Sequence, residues 1–112
     1  MKKKYKGLIT LIIILVITAI IYFSSNKQQE EISETLAKCI GEKSILYVQL
    51  GCSHCKVQEE MFGSQIKYLN VIDCFYFPEK CEGITATPTW VINEEKYIGK
   101  KSIEELKELT GC

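Results

Sequence analysis

A strand-like apolar run that stops at a glycine and hands two cysteines to the start of a helix leaves a chain few ways to fold. Here Ile45-Leu46-Tyr47-Val48-Gln49-Leu50 breaks at Gly51 and is followed by Cys52-Ser53-His54-Cys55, then by the helix-favouring Lys56-Val57-Gln58-Glu59-Glu60. At a helix N-terminus the unpaired backbone N–H groups and the positive end of the dipole favour an anion, so Cys52 is expected to be held partly as thiolate and to act as a nucleophile. Cys55, one turn further in, is placed to resolve whatever Cys52 forms. A Cys-X-X-Cys can also be half of a zinc site, but zinc wants four ligands and the single histidine, His54, lies inside the motif. The sequence therefore predicts redox chemistry at Cys52 and Cys55, with no metal and no bound cofactor.

The chain has 112 residues, of which the first 30 or so look non-globular, leaving one small domain of about 80 residues and no second core. Net charge is zero but unevenly spread. Lys2, Lys3, Lys4 and Lys6 make the N-terminus +4, which leaves ten lysines against fourteen acids, −4, in the remainder. That balance argues against nucleic acid as a partner. All fourteen basic residues are lysines, so the usual bidentate recognition of phosphate is missing as well. Six cysteines are high usage for so small a domain, and an even count fits an oxidising compartment.

From Leu8 to Phe23 every residue is apolar except Thr10, Thr18 and Tyr22, and none is charged. The segment is directed to a membrane, slightly short of a spanning helix of about 20 residues and longer than a signal-peptide core of about 7–15. Tyr22-Phe23-Ser24-Ser25 puts bulky residues where a signal peptidase needs small ones, and no cysteine stands there to take lipid, so an uncleaved anchor is expected. Four lysines before the segment and only Lys27 shortly after it predict a cytoplasmic N-terminus and an extracytoplasmic domain. The expected division is a basic segment over 1–7, an anchor over 8–23, a tether over 24–32 and the domain over 33–112.

Within that domain, Ile32, Leu36 and Ile40 predict a helix from Ser33 that ends at Gly41, with Cys39 near its end. Ser44 to Leu50, apolar on both faces, reads as a central strand. Ser53 to about Ile66 reads as the next helix, with Val57, Met61 and Phe62 inward, and Tyr68 to Cys74 as a second strand. Pro78 to Gly83 is a turn or short helical piece carrying Cys81. Thr89-Trp90-Val91-Ile92 and Lys96-Tyr97-Ile98 form an edge hairpin around Asn93-Glu94-Glu95. Ser102 with Glu105 is a capping box for a final helix with Ile103, Leu106 and Leu109 inward, stopped at Gly111.

This order, together with Thr87-Pro88-Thr89 about thirty residues after the motif, resembles the thioredoxin fold: an α/β domain with a four-stranded mixed sheet and flanking helices. The resemblance implies a cis Thr87-Pro88 bond facing the Cys52–Cys55 pair, its backbone receiving substrate as a β-like partner. A closer likeness, over about Ser33 to Cys112, is to the thioredoxin-like domain associated with bacterial and archaeal vitamin K epoxide reductase homologues. It rests on Leu36-Ala37-Lys38-Cys39, Cys52-Ser53-His54-Cys55, Met61-Phe62-Gly63, Cys74 and Cys81, Thr87-Pro88-Thr89-Trp90 and Glu108-Leu109-Thr110-Gly111-Cys112. Two positions depart from the pattern. Leu46 stands where thioredoxins carry a buried acid, so Glu59 or water would have to take the proton of Cys55, and Thr87 stands where the closer relatives often have tyrosine. Of three possible pairings of the other cysteines, Cys74–Cys81 with Cys39–Cys112 is chosen: the first closes a short loop, and the thioredoxin-like order brings the ends of the first and last helices to one pole. That Cys39 and Cys112 are free, or relay electrons to Cys52, stays open.

The implied reaction is thiol–disulfide exchange, with Cys52 attacking and Cys55 resolving. His54 bears on its direction, since an imidazole beside the helix N-terminus stabilises the thiolate, hence the reduced form, and makes the disulfide more oxidising. The expectation is a membrane-tethered oxidase of substrate-protein thiols, recharged by a membrane partner of the vitamin K epoxide reductase type. An extracytoplasmic reductase and a non-catalytic thioredoxin-like binding module are the alternatives.

Overall fold

A computed structural model of the chain describes residues 2–25 and 31–112, which form two compact units. Most of the tether expected over 24–32, with Lys27, lies outside the described residues. The first unit is a single helix, α1 (Lys2–Ser25), of 24 residues, long and apolar enough to cross a membrane. At 1.5 Å per residue it measures about 36 Å, enough for a hydrocarbon core of about 30 Å. Its two threonines do not leave hydroxyl groups open: Thr10 Oγ1 donates to the Lys6 carbonyl at 2.7 Å and Thr18 Oγ1 to the Leu15 carbonyl at 3.0 Å. Such internal bonding lets a hydroxyl sit in an apolar surrounding.

The second unit begins with α2 (Glu34–Lys43), which Ser33 caps by accepting from the Leu36 N–H. It continues through β1 (Ser44–Val48), α3 (Ser53–Glu60), a 3-10 turn at Gly63–Tyr68 and β2 (Val71–Asp73). A second 3-10 turn at Pro78–Lys80 precedes β3 (Thr89–Ile92), β4 (Glu95–Ile98) and α4 (Ile103–Thr110). The sheet order is β2-β1-β3-β4, with β1 and β2 parallel and the other two pairs antiparallel. This is the mixed four-stranded, helix-flanked α/β architecture expected from the sequence, with β1 central and the β3–β4 hairpin at an edge. The core gathers Ala37 and Ile40 from α2, Leu46 and Val48 from β1, Phe62, Trp90 and Ile92, and Leu106 from α4.

Several boundaries differ from the sequence reading, each for a local reason. α2 runs past Gly41 to Lys43 because that glycine is a point of close approach: a Cβ there would stand 2.0 Å from the Tyr68 carbonyl oxygen. α3 stops at Glu60 instead of Ile66, since the chain turns to positive φ (51°) at Gly63 and cannot continue as a helix. The inward face of α3 changes accordingly. Val57 is exposed, and Cys55 and Gln58, three residues apart, are the buried positions on the helix. β1 ends at Val48 because residues 49–52 fold into a turn, with the Cys52 N–H donating to the Gln49 carbonyl at 3.1 Å. β2 keeps only Val71–Asp73 because Tyr68 closes the preceding 3-10 turn. The edge hairpin turns on two residues, Asn93 and Glu94, both at positive φ, so Glu95 joins β4. The Ser102–Glu105 capping box opens α4 as expected, with both reciprocal bonds made.

Candidate functional site

β1 and β3 are antiparallel neighbours, so the end of β1 and the start of β3 lie at the same edge of the sheet. The loop leaving β1 delivers Cys52 to that edge, and the loop entering β3 delivers Thr87 and Pro88. Cys52 is the N-cap of α3, with extended backbone, and its Sγ accepts the Cys55 N–H at 3.2 Å. A cap normally uses a side-chain oxygen; here a sulfur occupies that position, and negative charge on it would be favoured by the same N–H and by the helix dipole. Cys52 is bonded to Cys55, with Cα atoms 5.2 Å apart. The two differ in access: Cys52 is partly exposed and Cys55 buried, at 3%. An incoming thiolate therefore reaches Cys52 first.

Opposite the pair, the Thr87–Pro88 bond is cis. Cys52 Sγ lies 3.6 Å from the Thr87 carbonyl oxygen, a contact in the disulfide, where the sulfur has no proton, and a geometry for an S–H donor once reduced. Pro88 is buried and its carbonyl accepts from the Gly99 N–H at 2.8 Å, which fixes the loop to the end of β4. His54 is exposed on the first turn of α3. Cys39 is joined to Cys112, with Cα atoms 6.0 Å apart, and Cys74 to Cys81, 5.7 Å apart. No group of three or more His, Cys, Asp or Glu side chains able to hold a metal ion occurs among the described residues.

Gln58 is the residue that the sequence reading missed. Fully buried one turn beyond Cys55, its Oε1 accepts from Trp90 Nε1 at 3.0 Å and from the Lys101 N–H at 2.6 Å. Its Nε2 donates to the Lys101 carbonyl at 3.0 Å. One amide thus binds the helix carrying both thiols to the strand that begins just after Pro88 and to the segment leading into α4. Trp90 packs in turn against Phe62 with the rings tilted at 43°, centroids 6.0 Å apart. Helical spacing from a buried Cys55 gives position 58 directly, but a glutamine in a stretch of polar residues reads as surface.

Beside the disulfide is an open cavity of about 370 Å³ whose lining includes Val48, Cys52, Cys55, Lys56, Glu59 and Asp73. Burial, and then the negative charge of Asp73, hold the Glu59 carboxyl above its ordinary pKa of 4.5.

No family model matches the chain. It is similar to the thiol-disulfide oxidoreductase LTO1 of Arabidopsis thaliana, 39% identical over 83 residues, an alignment covering 64% of this chain and 22% of that protein. The chain thus spans less than a quarter of the length of that relative.

Proposed function

We propose that the chain is a membrane-anchored, extracytoplasmic thiol–disulfide oxidoreductase that oxidises the thiols of substrate proteins. The observation that carries the reading is Cys52 itself: a partly exposed sulfur at a helix cap, bonded to a buried neighbour and facing the Thr87–Pro88 peptide. The similarity to a thiol-disulfide oxidoreductase supports the same chemistry. A substrate thiolate attacks Cys52, the Cys52–Cys55 bond breaks, and Cys55 leaves with the electron pair. A second substrate thiol then displaces Cys52, so the substrate gains a disulfide and the protein is left as a dithiol. Thr87 and Pro88 hold the substrate backbone during both steps, while Cys39–Cys112 and Cys74–Cys81 serve as structural bonds. Residues 8–23 are the anchor and 31–112 the catalytic domain, which takes in Ile32 from the expected tether as a core residue, with the N-terminus in the cytoplasm. Re-oxidation falls to a quinone-linked membrane protein of the vitamin K epoxide reductase type, a role supported by the sequence resemblance.

Direction rests on His54. The test is equilibration of the full chain, in detergent, with glutathione buffers, alongside oxidation of a reduced, unfolded protein and reduction of insulin. An oxidase gives a potential well above the thioredoxin value of about −270 mV and refolds the reduced protein. His54→Ala should move the couple to more reducing values. Insulin reduction without client oxidation would make the protein a reductase, and neither activity would leave a binding module.

A further inference from the structure

Cys55 poses a proton problem. Its side chain is buried, yet each exchange cycle requires its sulfur to leave as an anion or to attack as one, and a thiolate in an apolar pocket is costly. The strand beneath it offers no help: the β1 residues that point into the core, Leu46 and Val48, are apolar. The opening beside it does. Cys55 and Glu59 are four residues apart on α3, hence on one face of the helix, and both line the same cavity. Asp73 enters that cavity from β2 and Lys56 from α3; these, with Cys52, are the other charged or titratable groups among its described lining residues.

We infer that Glu59 is the proton partner of Cys55, working through this cavity. The inference rests on the exchange chemistry proposed above and adds a residue to it. When a substrate thiolate breaks the Cys52–Cys55 bond, the departing Cys55 sulfur takes the proton of the Glu59 carboxylic acid, giving a thiol and a carboxylate. In the reverse sense, Glu59 carboxylate removes the Cys55 proton. The Cys55 sulfur then attacks Cys52, and the bound partner departs with the electron pair of its S–S bond. A partly buried carboxyl beside a second acid is suited to both roles, because its proton affinity is raised toward working pH by burial and by Asp73. Asp73 acts as a positioning residue that keeps Glu59 basic.

The experiment is stopped-flow mixing of the reduced full chain, in detergent, with an aromatic disulfide whose released thiol absorbs visibly. The first thiol released reports attack by Cys52, and the second reports resolution by Cys55. Glu59→Gln should leave the first phase within about twofold and slow the second about tenfold or more at neutral pH, within the usual range for general acid–base catalysis. The second phase should also change from a rate that levels off with pH to one that climbs with hydroxide. Glu59→Asp should recover part of the loss, and Asp73→Asn should move the levelling-off to lower pH. A second phase in Glu59→Gln as fast as wild type, or faster, overturns the inference, as does equal slowing of both phases. If the wild-type first phase is itself no faster than that of an ordinary exposed thiol, the proposed function fails instead. Should the glutamine variant not fold, the Glu59→Asp and Asp73→Asn profiles decide alone, and two wild-type profiles reject Glu59.

Discussion

At Cys52 a sulfur takes the place of a cap oxygen, and the proposed chemistry rests on that exchange of atoms. The N–H of Cys55 and the end of the α3 dipole both act on the sulfur, so ultraviolet titration of the reduced protein should give a thiolate pKa well below the free-thiol value of about 8.5. An unshifted value would remove the basis for fast attack. Under the proposed exchange, Cys55→Ser keeps the sulfur that attacks and deletes the one that resolves, so non-reducing gels should show accumulated mixed disulfides with substrate proteins. Glu59 supplies a second expectation, on stability. Its folded-state pKa lies above the 4.5 of an unfolded chain, so its contribution is fully present below pH 4.5 and is lost as pH rises through the folded value. Glu59→Gln should therefore melt higher than wild type at pH 7, with the gap closing near pH 4. Parallel melting curves for the two proteins would mean that the carboxyl sits unstrained in water.

Among the elements, α3 bears most on the active edge, and Gln58 holds it. Gln58→Leu fills the space but leaves the Trp90 indole N–H and the Lys101 backbone groups without the partners they now have. Each stranded buried group costs about 1–3 kcal/mol, so denaturant unfolding should show a loss of several kcal/mol. Gln58→Glu keeps an acceptor for the two N–H groups but replaces the donor to the Lys101 carbonyl by a second oxygen and buries a charge, so it too should lose stability at pH 7. The same helix shows where the sequence was readable. Gly51 followed by Cys52 announced a strand end and a helix start, because a break in apolar pattern and a cap position are local matters. The α4 boundaries were equally plain, from Ser102 and Glu105. The inward face of α3 was not, since Val57 looks like core by type and Gln58 does not. Only the approach of Trp90 and Lys101, distant in sequence, makes the glutamine an interior residue. Gly41 misled for the same reason: it resembles a helix stop until Tyr68 is seen lying across it.

For the molecule as a whole, the folding unit at 31–112 is small, and cross-links matter correspondingly. The Cys39–Cys112 bond spans a sequence separation of 73, and Cys74–Cys81 one of 7. Chain-entropy arithmetic assigns them about 4.4 and about 2.5 kcal/mol as upper values. A Cys39→Ser, Cys112→Ser double variant should thus lose more stability than Cys74→Ser, Cys81→Ser, by equilibrium denaturation with Cys52–Cys55 kept oxidised. The opposite order would show that native contacts, not loop length, set the value of each bond. The antiparallel pairing of β1 with β3 has a further, practical result. Tyr47 lies across from Thr89 near the thiols, while Ser44 lies across from Ile92 at the far end, so the Asn93–Glu94 tip points away from Cys52 by the length of β3, about 13 Å. Both tip residues are exposed and connect strands without entering the core. That tip is the natural seat for a fluorophore or a short epitope, from which the oxidation state of the far edge could be followed without touching the sulfur chemistry being observed.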